Sequence, residues 1–439
     1  MASRTWSLLI AAIVLIGGAQ AESYDLTQIL KLAEQNNKQI QLAKADLKTA
    51  SAEKLGAFSR ALPEISLNAG YNRNLQENLF FFEAPDPLTG ETVRQSFKAS
   101  FRNEFQMNAV LRQTLFSFEV GMAIQAARYF DRMTELSYER TRQEVMMQVK
   151  TAFYGVLLAK NVLEVAKDSE VSARENYENL KTKFDAGVLS EYDLLQAEVR
   201  WQISIPQTYR ASQEYESALN GLKVLVGVPI NEELTLDGGL ATYPAMPAEF
   251  SVENAKEKRT DYNAMLWERK LREKNVSAQK ADFFPSLEGS FTYTYSAASD
   301  QFKLEQDNDN YIIGLSLNIP IFSGGNRVAN VRRASADVDR VTTRIQLAED
   351  NIEVELENLA LRLKEAMQRI RANEVAVSTA RRTFEIAQTR VDNGLSTQVE
   401  LKDSRVALDQ AQVNYYSAIY DYLRAYFEWE LATGSESVN

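Results

Sequence analysis

The stretch FDAGVLSEYDLLQAE, residues 184–198, returns later in the chain as VDNGLSTQVELKD, residues 391–403. In each stretch an Asp is followed two residues on by a Gly, and polar residues then begin a new helical pattern. Glycine takes a positive φ without steric cost, so Gly187 and Gly394 predict the end of one helix and a tight turn into the next. The chain is therefore expected to contain two copies of one helical hairpin.

The segments before the two turns also match. LPEISLNAGY, which begins at residue 62, resembles FPSLEGSFTY, and LRQTLFS resembles LNIPIFSGGN. Each copy is predicted to run as helix, β-hairpin, long helix, turn and helix, and the hairpin of the first copy has an insertion of the kind that surface loops tolerate. The predicted segments are a signal peptide at 1–21, a first repeat at 22–225 with its hairpin at about 63–115, a linker or equatorial region at 226–250, a second repeat at 251–432 with its hairpin at about 285–321, and a C-terminal tail at 433–439.

The N-terminus has the features of an export signal. Arg4 precedes the apolar run LLIAAIVLIGG, and the Ala-Gln-Ala sequence at residues 19–21 offers a small-residue cleavage site. An N-terminal membrane anchor is the alternative interpretation, but the apolar run is short for a membrane span. Because the chain contains no Cys, we expect neither a lipid anchor nor a disulfide in the exported protein.

The composition argues against several classes of function. The net charge of -11 disfavours nucleic acids and anionic membrane surfaces as partners. The chain contains neither His nor Cys, which supply the commonest general base, nucleophile and transition-metal ligands. We therefore expect no enzymatic activity, no cofactor, no metal site and no nucleic-acid partner.

Helical periodicity covers most of the chain. Apolar residues in the second long pattern recur at heptad spacing, which is typical of a coiled coil. A second apolar stripe on the same pattern, formed by Leu347, Val354 and Leu361, indicates contact on another side, and Pro206 is expected to kink or offset the helix that contains it. The predicted helices cover residues 26–58, 120–183, 252–283 and 328–390, with two more that follow the Gly turns to about residues 225 and 431. The heptad residues are Ile345, Ile352, Leu359 and Ala366, with Leu356, Leu363 and Ile370.

Four runs of alternating apolar and polar residues predict half-buried β-strands. Their apolar face could pack on a protein core, with the polar face in bulk water, or it could face lipid while the polar face lines a water-filled pore. The export signal and the strand lengths favour the membrane, as do aromatic residues along the apolar face. The runs begin near residues 65, 97, 287 and 313, and the aromatic residues are Phe97, Phe101, Phe105, Tyr293, Tyr295 and Tyr311.

A sheet in a membrane cannot leave open edges, because lipid offers no hydrogen bonds. Four strands cannot close around a lumen, so we expect several copies of the chain to share one barrel. Two copies would supply eight strands with a filled interior, and three would supply twelve with room for a lumen. The alternation alone leaves this number open.

The order of these elements, repeated twice, resembles the TolC family of outer-membrane efflux proteins, the outer membrane factors. The resemblance covers residues 22 to about 434, and it includes AEQNNKQI in the first helix, the stretches that close each hairpin and the two Gly turns. It implies a mainly α protein that forms a homotrimer. Long coiled-coil-like helices would build an α-barrel in the periplasm, continuous with a twelve-stranded β-barrel in the outer membrane of a Gram-negative-type bacterium.

The resemblance also implies a function. The protein would be the passive exit duct of a tripartite efflux or type I secretion system, and its partners would be outer-membrane lipid, a periplasmic adaptor (membrane fusion) protein and an inner-membrane pump. The alternative is a periplasmic coiled-coil spacer or adaptor with a soluble β-domain. The sequence does not distinguish small-molecule efflux from protein secretion.

Candidate site residues follow from the same resemblance. Glu400 and Asp403 match acidic residues that face the narrowed periplasmic mouth, and Asp193 matches an acidic position of the latch that closes this mouth. The family pattern places a Tyr and an Arg where this chain has Val391 and Ser396, so weaker latching is expected. The hairpin tips are candidate adaptor contacts, with capping of their own helices as the local alternative; their residues are Gly187, Val188, Leu189, Ser190, Gly394, Leu395 and Ser396.

Overall fold

The computed structural model describes residues 23–76, 78–88, 90–247, 251–305 and 307–435, so the predicted signal peptide lies outside the described residues. The fold is mainly α-helical, with one larger sheet. The helices are α1 (Leu26–Asn36), α2 (Lys38–Ser59), α3 (Phe118–Asp185), α4 (Glu191–Val226), α5 (Val252–Lys258), α6 (Thr260–Ala281), α7 (Asn326–Asp392) and α8 (Gln398–Thr433). The strands are β1 (Ser23–Tyr24), β2 (Glu64–Arg73), β3 (Leu79–Pro85), β4 (Thr92–Lys98), β5 (Asn103–Phe116), β6 (Thr235–Leu236), β7 (Ser286–Ser299) and β8 (Asn308–Asn318).

The chain forms two compact units. One comprises the described residues within 23–43, 139–259 and 351–435, and the other comprises those within 44–138 and 260–350. The first unit contains the Gly turns and a short parallel pairing of β1 with β6. Of these two strands, β6 lies inside the predicted linker. The second unit contains the remaining strands.

The heptad stripe of α7 is buried, as predicted. Its members from Ile345 to Ile370 are almost inaccessible to solvent, whereas the second stripe, Leu347, Val354 and Leu361, is exposed in the single chain. The helix α4 runs through Pro206 without a break. Among the described residues, no helix is both long enough and apolar enough to cross a membrane.

The prediction of one continuous helix over residues 26–58 is wrong, because the chain leaves the helical conformation at Asn37, where ψ is 131°. The side-chain oxygen of Asn37 accepts hydrogen bonds from the amides of Gln39 at 2.8 Å and Ile40 at 3.1 Å, and it thereby caps the start of α2. Its side-chain amide donates to the Leu225 carbonyl at 2.7 Å. These hydrogen bonds cap α2 and join the helix break to the end of α4.

The predicted helix over residues 252–283 is also interrupted, at Arg259, where the backbone is again extended. The Arg259 guanidinium donates to Glu355 Oε2 at 2.6 Å and to the Ala432 carbonyl at 3.3 Å. Only 6% of Arg259 is exposed, so its charge is paired where little water is present. This arginine joins the break to both α7 and the end of α8.

A glycine approaches each break closely. Gly227 ends α4 with φ 78°, and a Cβ built on it would stand 2.6 Å from the Asn36 carbonyl oxygen. Gly434 ends α8 with φ 63°, and a Cβ there would stand 2.9 Å from the Lys258 carbonyl oxygen. The two halves of the chain therefore use the same close contact between a helix end and a helix break, which only glycine permits.

The larger sheet has the strand order β2-β5-β7-β8, and all its pairs are antiparallel. For most pairs its register aligns apolar residues with apolar ones and polar residues with polar ones, so one face of the sheet is mainly apolar and the other is mainly polar. One apolar row is Ile65, Leu111, Phe291 and Ile313, and one polar row is Asn68, Asn108, Thr294 and Asn310. The apolar face is open, since Ile65 is 74% and Ile313 is 81% exposed.

The prediction that a single strand begins near Phe97 is wrong. Phe97 belongs to β4, which pairs with β3 in a separate two-stranded ribbon and faces Phe80 there. Phe101 lies in the connection that follows, and β5 starts only at Asn103. The side chain of Asp300 fixes this connection, because it accepts the Arg102 amide at 3.1 Å. The insertion in the first hairpin thus forms a ribbon of its own.

Candidate functional site

The two Gly turns have the same geometry. Gly187 has φ 75° and Gly394 has φ 71°, and each donates its amide to the carbonyl three residues earlier. The next amide closes the larger ring, from Val188 to Lys183 at 3.0 Å and from Leu395 to Arg390 at 2.7 Å. This is the Schellman arrangement, which satisfies the last carbonyls of a helix and releases the chain into a turn.

The tips present apolar side chains to solvent. Val188 is 75% exposed and Leu395 is 70% exposed, whereas Leu189 is half-buried. The backbone hydrogen bonds already cap the preceding helices, so these two side chains are not needed for the cap itself. They remain accessible for contact with another protein.

Glu400 occupies the third position of α8. The Thr397 side chain accepts the Glu400 amide at 3.3 Å, and the Ser396 hydroxyl donates to the Glu400 carboxylate. A carboxylate in the first turn of a helix is stabilised by the helix dipole. Asp403 follows one turn later, so both exposed carboxylates lie on one side of α8.

Asp193 occupies the corresponding position of α4. The Ser190 hydroxyl caps the Asp193 amide at 3.2 Å and donates to its carboxylate at 2.6 Å. In the described residues, the hydrogen bonds of Asp193 therefore stay within its own turn. Asp193 and Glu400 share one local role, and the single chain does not bring them together.

The two positions that depart from the family pattern have local contacts. Val391 is buried and packs with Ala387, Leu401 and Phe384, so it contributes to the small core beneath the second turn. Ser396 holds Glu400 as described above.

Sequence reasoning missed a buried ionic network a few turns away from the tips. Asp409 of α8 accepts the Ser169 hydroxyl of α3 at 2.7 Å and lies 2.7 Å from the Arg405 guanidinium. Burial raises the pKa of Asp409, while the bond from Ser169 and the charge of Arg405 oppose that rise. Arg200 of α4 lies nearby, and burial lowers its pKa. The sequence does show charged residues at these positions of α4 and α8. It does not show that they face the interior, because that depends on how the helices pack.

No group of three or more His, Cys, Asp or Glu side chains suited to a metal ion occurs among the described residues. The arrangement at the tips offers carboxylates, hydroxyls and apolar contact surface. Such groups can attract cations and bind another protein.

Known proteins resemble this chain along nearly its whole length. The family model described as outer membrane efflux protein matches residues 29–228 and 252–435. TolC of Vibrio cholerae is 22% identical over 418 residues, which cover 94% of this chain and 91% of that protein. The alkaline protease secretion protein AprF of Pseudomonas aeruginosa is 24% identical over 436 residues, which cover 96% and 86%.

Solved structures share the fold. The CmeC outer membrane channel of Campylobacter jejuni has a TM-score of 0.79 at 22% identity, over 94% of this chain and 87% of that one. The outer membrane protein VceC of Vibrio cholerae has a TM-score of 0.73 at 17% identity, over 93% and 96%. Membership of an outer-membrane family sets aside the alternative of a periplasmic spacer. The chain belongs to the outer membrane efflux protein family, and its homologues indicate a duct of the outer membrane for efflux or secretion.

Proposed function

We propose that three copies of this chain form a passive exit duct, in which the four-stranded sheets close one twelve-stranded barrel and the helices continue it as an α-barrel. The observation that carries the proposal is the sheet itself. It has an apolar face exposed at Ile65 and Ile313, and its outer strands β2 and β8 have no further strand beside them in the described chain. In lipid such edges are tolerated only when another strand pairs with them.

The lumen that a duct needs excludes two copies, and three copies are the smallest number that provides one. Eight strands give a barrel that side chains fill, whereas larger barrels leave space for water. The exposed stripe of α7, from Leu347 to Leu361, offers a second contact surface for neighbouring copies. We propose the two tandem repeats as the reason why each chain supplies matching hairpins to this wall.

The mouth of this duct is proposed to be acidic. Glu400 and Asp403 are exposed one helical turn apart, and a threefold axis would arrange them in two rings of three carboxylates. Rings of like charge attract cations and disfavour anions. Asp193 is the proposed latch residue of the same mouth. Because its hydrogen bonds lie within its own turn, and because Val391 and Ser396 replace the Tyr and the Arg, closure is expected to be weak.

Conductance of single channels in a planar bilayer tests the acidic mouth. The double variant Glu400→Gln with Asp403→Asn should lower the permeability of K⁺ relative to Cl⁻ at neutral pH, because it removes the proposed rings. The matched control is Glu353→Gln with Glu357→Gln, which removes two exposed carboxylates of α7 away from the tips. Equal selectivity of the two double variants would show that Glu400 and Asp403 do not control the permeating ions.

The tips are proposed to bind a periplasmic adaptor that connects the duct to an inner-membrane pump. The exposed Val188 and Leu395 would enter an apolar groove of that partner. Leu395→Asp should abolish export while the assembled particle remains intact. The control is Leu75→Asp, at a leucine of the other unit that is 94% exposed. Unchanged export by Leu395→Asp would leave the tip residues as helix caps only.

The cargo is proposed only as a class. AprF is named for the secretion of a protease, and another relative, CzcC of Cupriavidus metallidurans, is named for cobalt, zinc and cadmium resistance. A duct that performs no chemistry suits either use. The proposal is therefore a conduit for efflux or type I secretion whose energy comes from its partners.

A further inference from the structure

A cavity of about 50 Å³ lies among α3, α4, α7 and α8, near the helix tips. Three cationic side chains line it: Arg200, Lys402 and Arg405. The other polar side chains of its wall are amides and one hydroxyl, and no carboxylate contributes to the lining. The amides are those of Asn176, Gln196, Gln388 and Gln398.

A neighbouring carboxylate, that of Asp409, is already engaged. Asp409 forms its ion pair with Arg405 and accepts the Ser169 hydroxyl, each at 2.7 Å. It lines a neighbouring groove rather than this cavity. Asp409 is therefore the counter-charge of Arg405. In the described structure neither Arg200 nor Lys402 forms an ion pair with it.

Arg200 is the cation with the clearest deficit. Its Nη1 atom is shielded from solvent and has no hydrogen-bond partner among the described residues. A buried guanidinium nitrogen without a hydrogen-bond partner is costly, because its N–H groups have given up their hydration without replacement. Burial lowers the pKa of Arg200, the charge of Asp409 opposes that shift, the charge of Arg405 adds to it, and the charge of Asp403 opposes it more weakly.

We propose that this cavity binds a single small inorganic anion of the size of chloride, held by Arg200 with Lys402 and Arg405. A water molecule could satisfy a hydrogen bond of Arg200, but only an anion also offsets the excess positive charge of the wall. A cavity of about 50 Å³ exceeds the ~15 Å³ that one water needs and suits one monatomic anion. Lys402 is exposed, so an ion can reach the site from solvent.

The bound anion would join α4 to α8. Arg200 lies on α4, whereas Lys402 and Arg405 lie within the first turns of α8. The same segment of α8 carries Glu400 and Asp403. The anion would therefore add a second link between that segment and the first hairpin, where Asn176 of α3 already donates to Gln398 of α8 at 3.0 Å.

The test uses the full-length mature protein in detergent, crystallised in sodium bromide and measured at the bromine absorption edge. The expected result is an anomalous peak in the cavity, beside Arg200. Ordered water without an anomalous peak at molar bromide would overturn the proposal. This measurement needs no variant, so it does not depend on how well any variant folds.

Thermal unfolding provides the second readout. Chloride, exchanged for gluconate at constant ionic strength, should raise the midpoint of the wild-type protein in a saturable way. Arg200→Gln should raise the half-saturating chloride concentration by about tenfold or more, because a charge-assisted contact is lost. Arg210→Gln, at an exposed arginine of the same helix, should leave it unchanged. An equal chloride effect in both variants would contradict the site.

Discussion

Replacement of each of four glycines by alanine distinguishes two physical roles of glycine in this chain. Gly187 and Gly394 have positive φ angles at the tips, and a Cβ there would meet nothing within 4 Å. Gly227 and Gly434 have similar φ angles, but a Cβ there would collide with the preceding helix break. Each half of the chain thus contains its own matched pair.

The magnitudes follow from the geometry. A non-glycine residue in the left-handed region costs about 1–2 kcal/mol, and this is the whole expected cost at Gly187 and Gly394. At Gly227 the new Cβ would stand 2.6 Å from a backbone oxygen, and at Gly434 the nearest atom would be 2.7 Å away. Backbone has to move in both cases, and overpacking of this kind adds about 1–3 kcal/mol. We therefore expect a total of about 2–5 kcal/mol at each junction glycine.

Thermal melting of the purified variants in detergent, followed by circular dichroism at one scan rate, measures the difference. Gly227→Ala should melt well below Gly187→Ala, and Gly434→Ala should melt well below Gly394→Ala. Equal melting points within each pair would refute the close contact between helix end and helix break. A larger loss at the tips than at the junctions would refute the geometry of both.

Three further variants test other parts of the structure. Tyr262 donates to Glu349 at 2.5 Å, and burial together with this hydrogen bond raises the pKa of Tyr262 to about 12. The stabilising contribution of the protonated Tyr262 is present below about pH 10 and is lost as the pH rises through about 12. Tyr262→Phe should therefore flatten the alkaline part of a curve of stability against pH. Asn37→Ala should cost about 1–3 kcal/mol in denaturant unfolding, because it removes a cap and leaves the Leu225 carbonyl unsatisfied. Leu361→Asp should reduce the amount of assembled particle on size-exclusion chromatography but leave the helix content of the chain unchanged, since this residue is exposed in the single chain.

The buried stripe of α7 was predictable because its signal is local and long. Ile345, Ile352 and Leu359 keep one spacing along a helix, and such a spacing specifies one face regardless of what covers it. The Gly turns were predictable for a related reason, since Gly187 and Gly394 meet a backbone need that few other residues meet.

The helix break at Asn37 could not be predicted in the same way. No Gly or Pro marks it, and its bond to the Leu225 carbonyl joins residues that are far apart in sequence. The strand error at Phe97 has a different origin. Residues in β4 and β5 alternate with the same period, so the pattern continues across a connection where the pairing partner changes.

The candidate site likewise has one part that the sequence predicts and another part that it does not. The positions of Glu400 and Asp403 on one side of α8 follow from their spacing. The cavity around Arg200 and Arg405 does not, because four helices have to be packed before these side chains are brought together. Sequence spacing identifies the exposed acids, and only the tertiary structure identifies the buried cations.

Disulfide cross-linking between strand edges tests whether one chain supplies one third of a closed barrel. The chain has no Cys of its own, so a Cys at Asn68 of β2 can be combined in turn with a Cys at polar-face positions of β8. Within one chain β5 and β7 separate these strands by roughly 14 Å, beyond the ~7 Å reach of a disulfide. If three chains close one barrel, one register should yield a covalent trimer on a non-reducing denaturing gel. A covalent dimer, or uncross-linked monomer at every register, would contradict it.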